Sequence, residues 1–448
     1  MSPRKLLALT AVVVALVAFI FFVERKMPTT EERARKGDLY WDIPQDRIER
    51  IELARAGETL EFQRAGAAGW RMIKPEKYPA DAFAVGGVVS DLAGMKRAGG
   101  EDSAEAKASD YGFATPVAKA TIVWSDPGDP KTLKTRTVEF GANIPGTDVV
   151  AARVEGTEKV LFVPAAVLVS LRKNADDFES REVFGGAAAD VARFEILRGR
   201  GQLAFARKDA AWWLAEPMAD LADRAEVDRL VGALAGLRVK EFIHGGQDLA
   251  AIGLNPPLFH VSLTGAKGAV TAVDFGATRS DGNTVYARRE GQVLTVDRDI
   301  MDDLSKEAEA FRSRGLLGFN RSDVIGVEAA FTRGNFVLAQ KDGGWTVGGK
   351  PLSAAAADDV LTGLGDVRAR DFLDDASVKG LALPVATVTV RTKTGPPWTL
   401  SLHPRSGEMV ARVVPRPGGF LVDRDAPDKL EGAFRKAAAT LPTPLPRP

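Results

Sequence analysis

The strongest limit on how this chain can fold is a unit that recurs three times along it. Each copy opens on a short strand ending in a carboxylate: Ile48-Glu49-Arg50-Ile51-Glu52, Val191-Ala192-Arg193-Phe194-Glu195 and Val324-Ile325-Gly326-Val327-Glu328. A tryptophan strand follows and runs into a proline, Trp70 with Pro75, Trp212 with Pro217 and Trp345 with Pro351. Next comes a helical stretch closing on a Leu-x-x-[Met/Leu/Val]-[Lys/Arg] pattern at residues 92–96, 234–238 and 364–368. A glycine turn then leads to a proline, at Gly112 with Pro116, Gly253 with Pro256 and Gly380 with Pro384. An Ala-Arg pair stands in the same late strand of each copy, ending on Arg153, Arg288 and Arg412. Landmarks that keep one order at nearly constant spacing define a tandem array.

With 448 residues there is room for about three domains of ordinary size, in agreement with the repeat count. Lys plus Arg and Asp plus Glu are both 60, so the formal net charge is zero. A nucleic-acid partner would call for a basic surplus to neutralise phosphates, and none is expected. The absence of cysteine removes disulfides, thiolate zinc sites and iron–sulfur clusters. Three histidines at unrelated places in the unit, His244, His260 and His403, do not make a metal site, and no cofactor is expected.

Residues 6–23 are an uncharged apolar run behind Arg4 and Lys5. As a helix the run would span roughly 27 Å, close to the hydrocarbon thickness of a bilayer. No small-x-small cleavage site follows it, since the run ends Phe21-Phe22-Val23-Glu24-Arg25-Lys26, so an uncleaved anchor in the lipid bilayer is expected. Basic residues just after the run would by count stay in the cytoplasm, whereas a short basic amino terminus more often starts inside. The second orientation is preferred, with the soluble part outside the cytoplasm at the bacterial inner membrane.

The expected plan is therefore residues 1–26 as anchor, 27–45 as a polar stem, 46–184, 185–315 and 316–440 as repeats one to three, and 441–448 as a Pro-rich tail. The fold class read from this plan is α+β: three tandem units, each an antiparallel sheet with helices on one face, after one transmembrane helix. Val227, Leu230, Leu234 and Leu237 mark the buried helical face of repeat two. The adjacent Gly86 and Gly87 in the first helix suggest close packing against a sheet, and a closing helix is expected over residues 165–178.

Candidate chemistry is thin. Residues 344–350 match a phosphate loop up to Lys350, but Pro351 replaces the hydroxyl residue that would hold magnesium. Ser170 and Lys173 have the spacing of a serine–lysine pair and Lys393-Thr394-Gly395 resembles its later element, yet they fall in different repeats with no Ser-x-Asn between them. The acidic pairs Asp176-Asp177, Asp302-Asp303 and Asp374-Asp375 read as solvated faces or helix starts. Trp70, Trp212 and Trp345 read as core. Arg153, Arg288 and Arg412 have two readings: a cross-strand pairing with acids such as Glu139 and Asp274, or a recurring contact to a partner.

The anchor, the tryptophan-to-proline strand, the glycine turn and the Phe-Gly strand ends at Phe140-Gly141 and Phe275-Gly276 together resemble a bacterial family of membrane-anchored domains of unknown function, often encoded beside gliding-motility-type ABC transporter genes. The resemblance covers nearly all of the chain after the anchor and is weakest in repeat three, where Leu402-His403 stands in place of Phe-Gly. It implies a non-catalytic accessory subunit in a complex with transporter permease and ATPase subunits. The alternative is an envelope protein that binds glycan or lipid without a transporter.

Overall fold

The structure is a computed structural model that describes residues 38–55, 57–66, 69–98, 108–186, 188–208, 211–341 and 343–439. The expected anchor, at residues 6–23, lies outside them, and among the described residues no helix is long and apolar enough to cross a membrane. The chain divides into two compact units, Met1–Arg181 and Glu182–Pro448, the second holding repeats two and three.

Each repeat is one antiparallel sheet, of eight, nine and nine strands in chain order. Repeat two shows the plan. The strands Val191–Arg198, Gly201–Lys208, Ala211–Glu216 and Asp220–Leu221 form one meander, and Phe259–Gly265, Val270–Thr278, Thr284–Arg289 and Gln292–Asp297 form another. The two meanders join along their first strands, with Phe194 opposite Leu263, and Glu241–Ile243 closes the far edge. Between Asp220–Leu221 and Glu241–Ile243 the chain crosses from one edge of the sheet to the other through the helix Arg224–Ala235. Asp223 caps that helix by accepting from Ala225 and Glu226 N–H, and Asp81 and Ser353 cap the equivalent helices Ala82–Ala93 and Ala354–Gly365.

The opening strand of every repeat carries a bulge at its second residue, Glu49, Ala192 and Ile325, where the register against the second meander slips. The extra residue resets the alternation. This is why Ile48 and Ile51, Val191 and Phe194, and Val324 and Val327 are buried three apart on a strand whose period is two.

The α+β class is corrected: the chain is mostly β. Sheets of eight or nine strands carry each repeat, and the helices between them are short, the three sheet-crossing ones having 12 residues each. The expected closing helix at 165–178 is instead a five-residue helix, Val167–Leu171, and a separate 3-10 turn, Ala175–Phe178, restarted by a capping box at Asn174 and Asp177. Gly86 and Gly87 meet no close neighbour, so their side-chain-free surface serves no tight packing. The buried face of the helix Arg224–Ala235 does fall on Val227, Leu230, Val231 and Leu234. Residues 38–43, read as stem, are bonded to repeat one: Tyr40 and Ile43 N–H donate to Met95 and Ala93 C=O, both at 2.8 Å, and Ile43 is in the core.

Candidate functional site

Two sequence landmarks turn out to be halves of one contact. In repeat two, Ala277 N–H donates to Ile252 C=O at 2.9 Å, and a Cβ on Gly276 would lie 2.4 Å from the same oxygen. In repeat one a Cβ on Gly141 would lie 2.0 Å from Tyr111 C=O. The Phe-Gly strand end therefore lacks a side chain because the glycine turn rests on it. Repeat three replaces contact by reach: His403 stands at the glycine position and its Nδ1 lies 2.7 Å from Ala382 C=O.

The Leu-x-x-x-[Lys/Arg] landmark has a similar origin. Its last two residues receive the segment that precedes the repeat. Leu39 bridges to Lys96, Glu182 to Arg238 and Gly315 to Arg368. The segment that leaves a repeat bonds backward in the same manner. Phe178 C=O accepts from Asp81 N–H and Ser180 N–H donates to Pro79 C=O; in repeat two Phe311 C=O accepts from Asp223 N–H and Ser313 N–H donates to Leu221 C=O.

Residues 311–316 are thus paired on both sides, to repeat two through 221–223 and to repeat three through 367–369, and around them lies a buried ionic joint. Asp220 is fully buried on the edge strand Asp220–Leu221. Its Oδ2 accepts from Arg312 Nε at 2.6 Å and its Oδ1 from Arg416 Nε at 2.6 Å. Arg416, held at the hairpin after the strand Glu408–Val414, also donates to Gly315 and Ser313 C=O at 2.7 and 2.8 Å. The ring of Phe420 lies 4.4 Å from the Arg416 guanidinium and that of Phe372 4.0 Å from Arg312. Burial pushes the Arg416 guanidinium below its ordinary range, and the bond to Asp220 opposes that shift. In repeat two the guanidinium of Arg289 grips the equivalent linker residue, donating to Glu182 C=O.

Apolar contacts complete the joint. Leu221 of repeat two is buried in the core cluster of repeat three, with Ala211 and Trp213 packed against the same cluster. Trp213 and Trp398 stack with centroids 5.9 Å apart. A Cβ on Gly318 would lie 2.9 Å from both Leu221 methyls and 3.0 Å from Trp398, so only glycine fits where the linker passes between them. Beside the two indoles is a cleft of about 90 Å³, rimmed by Lys208, Phe319, Asn320, Asp323 and Thr394.

The residues singled out from sequence are scattered. Arg153 Nε donates to Glu139 at 2.6 Å and Arg288 Nη2 to Asp274 at 2.7 Å, each directly across the sheet, whereas Arg412 is exposed opposite Ser401. Each of the three belongs to a different sheet. Ser170 Oγ donates to Asp91 at 2.7 Å. Residues 344–352 are a hairpin with Gly348 and Gly349 at its tip, both at positive φ. Trp70 and Trp212 are buried under Arg64 and Arg207, each guanidinium 4.7 Å from the ring, and Trp345 is half-buried opposite Gln340. Asp303 accepts a two-pronged bond from Arg229, at 2.7 and 2.8 Å, which holds its carboxyl below the ordinary range. Asp220, Arg312 and Arg416 were not found as a set from sequence. The only signals were an aspartate three before a helix cap, the second residue of the linker and an arginine between Pro415 and Pro417.

The architecture defines the class as a tandem array of mostly-β units in which the linker is part of the fold. The model of one family, Domain of unknown function (DUF4340), matches twice, over residues 70–257 and 212–384, and the chain belongs to that family. Each match runs from the tryptophan strand of one repeat to the glycine-turn proline of the next, so each encloses a linker, residues 178–183 in one and 311–316 in the other. No curated protein matches the chain. Among solved structures, a DNA polymerase sliding clamp from Pseudomonas aeruginosa with ligand aligns at 6% identity over 87% of this chain and 94% of that one, with a TM-score of 0.14, too low to indicate a shared fold.

Proposed function

We propose that this protein is a non-catalytic, membrane-anchored interaction module, an accessory subunit of an ABC-type, gliding-motility-like transport or envelope machine. Residues 6–23 would hold it in the bacterial inner membrane with the repeats outside the cytoplasm. The observation that carries the reading is the joint between repeats two and three. A shared core, a linker paired on both sides and a buried Arg312–Asp220–Arg416 cluster make one stiff body from two small sheets. Stiff tandem arrays present extended surfaces to large partners. Ser170, one of the polar groups with catalytic spacing, is held by Asp91 and Val167 C=O, which supports the same reading.

The test is affinity purification of the full-length chain from its own membranes in mild detergent. Co-purifying permease and ATPase subunits are expected; a single clean species, together with unchanged transport in a deletion strain, would overturn it. The cleft beside Trp213 and Trp398 favours a second reading, an envelope protein that binds glycan or lipid. Saturable heat of binding with envelope fractions, lost on Trp213→Ala, would support that alternative, and flat calorimetry would count against it.

A further inference from the structure

One place in the unit is filled in repeats one and three and open in repeat two. It lies where the segment entering a repeat passes the turn between the first two strands of the second meander. The bridges Leu39–Lys96, Glu182–Arg238 and Gly315–Arg368 align the entering segments, so that Trp41, Phe184 and Leu317 correspond, as do Ile43, Gly186 and Phe319. The pairs Ile122–Arg136, Leu263–Thr271 and Val390–Trp398 align Arg136, Thr271 and Trp398 on the strand side. Trp124, Gly265 and Thr392 correspond in the same way, opposite Ile48, Val191 and Val324.

Flat groups occupy this place in repeats one and three. The Arg136 guanidinium lies 4.5 Å from the Trp41 ring and 5.6 Å from that of Trp124. Its Nη1 is buried without a hydrogen-bond partner, so contact with the rings is what favours it there. In repeat three Trp213, from the preceding repeat, stacks on Trp398 with centroids 5.9 Å apart. Phe319 stands beside them, and a cleft of only about 90 Å³ remains.

Repeat two keeps the frame and lacks the bulk. Gly186, Gly265 and Thr271 stand where the other copies carry Phe319, Trp124 and Trp398. Phe184 brings a ring, but it is buried and packs on Phe275 in the core, with centroids 6.4 Å apart. The result is a cleft of about 420 Å³, floored by Phe184 and Leu263 and flanked by the exposed Asp190 and Lys267. Ligand sites are concave, mostly apolar, roughly 300 to 1,000 Å³ in volume and supplied with a few polar groups. With one acid and one base the rim selects no net charge, so the apolar space itself is the recognition element. Its shape is that of a frame which elsewhere in the chain closes over stacked rings.

We propose that this cleft of repeat two binds an aromatic ring, presented by the side chain of another polypeptide as Trp213 is presented to repeat three. The proposal extends the reading of the protein as an interaction module. Ring binding and co-purification are separate measurements, so failure of one is distinguishable from failure of the other. The experiment titrates 5-fluoroindole and N-acetyl-5-fluorotryptophanamide into the full-length chain in mild detergent, read by fluorine NMR with empty micelles as the blank. Saturable binding is expected for both, tighter for the ring flanked by amides. Thr271→Trp and Gly265→Trp give repeat two the rings that repeats three and one carry at those positions. A Cβ at 265 meets nothing closer than 3.8 Å. Each variant should weaken binding at least about tenfold, the one that keeps the parent's melting temperature being decisive. Tighter binding of free 5-fluoroindole would overturn the polypeptide source in favour of a small aromatic molecule. No saturable binding in the parent, or equal binding in the parent and both variants, would overturn the site itself.

Discussion

Replacing Asp220 by asparagine keeps the shape of the joint and removes its anion. The side chains of Asp220 and Arg416 are inaccessible to solvent and that of Arg312 is nearly so. The three together carry one net positive charge; Asp220→Asn leaves two guanidiniums buried with nothing to neutralise them. Breaking a buried pair in this way costs about 3 to 5 kcal/mol, because the uncompensated charges and not the lost bonds dominate. The loss should appear as local opening of the joint rather than as global unfolding, since each repeat keeps its own core cluster. Ser313 N–H, bonded to Leu221 C=O at 2.8 Å, and Ala369 N–H, bonded to Arg314 C=O at 2.7 Å, report the two faces of the linker. At about 1.4 kcal/mol per decade their exchange should accelerate by roughly 10²-fold to 4 × 10³-fold. The combined variant D220L/R312M/R416M should recover most of the loss, because replacing all buried charges with apolar side chains is often neutral or stabilising. Acceleration below about fivefold in Asp220→Asn, corresponding to about 1 kcal/mol, or a triple variant worse than the single one, would refute the electrostatic account of the joint.

Gly318→Val inserts a branched side chain where even a Cβ is 2.9 Å from Leu221, so it should destabilise the joint by about 1 to 3 kcal/mol and change tryptophan emission as Trp213 and Trp398 separate. Gly276→Ala, aimed at a backbone oxygen 2.4 Å away, should lower the melting temperature of the full chain; an unchanged value would show that the strand end can shift at little cost. Asp303 has a carboxyl pKa lowered chiefly by its bond to Arg229. Its contribution is present above the unfolded value near about 3.9 and is lost as pH falls through the lower folded value. Asp303→Asn should therefore cost up to about 1 kcal/mol at pH 7 and converge with the parent in strong acid, measured by urea denaturation across pH.

Periodic landmarks made the repeats legible, and what the periodicity could not reveal was what each landmark does. Trp212, invariant in position across the copies, reads as core and is buried. The Phe-Gly end reads only as a pattern, because its cause is a carbonyl of a loop more than twenty residues earlier in the chain. The sheet-rich class was missed where short apolar runs such as residues 165–178 suit either a helix or a turn-linked series, which periodicity does not separate. Asp220 was hidden for a different reason: it is not a repeat landmark at all. Its equivalents are Tyr78 and Lys350, so alignment of the copies marks it as variable.

That variability bears on how a chain of similar units selects which unit packs on which. The contacts common to all copies, such as the linker pairing with Lys96, Arg238 and Arg368, are backbone bonds that any two repeats could make. They cannot distinguish one neighbour from another. The joint between repeats two and three adds a carboxylate at 220 that fits two arginines, one from the linker and one from the later repeat. Lys350, in the equivalent place of repeat three, would put a third cation against Arg312 and Arg416 and be rejected by several kcal/mol. Tyr78 would bring no charge to neutralise them. Variation at this one position would therefore let the joint between repeats two and three reject other pairings at a net cost in desolvation, which is the best attested use of a buried ionic group. Asp220→Lys should accordingly open the joint more than Asp220→Asn does, with faster exchange at Ser313 and Ala369. Equal opening in the two variants would mean that the shared core alone sets the order, and that the charges at 220, 312 and 416 take no part in choosing it.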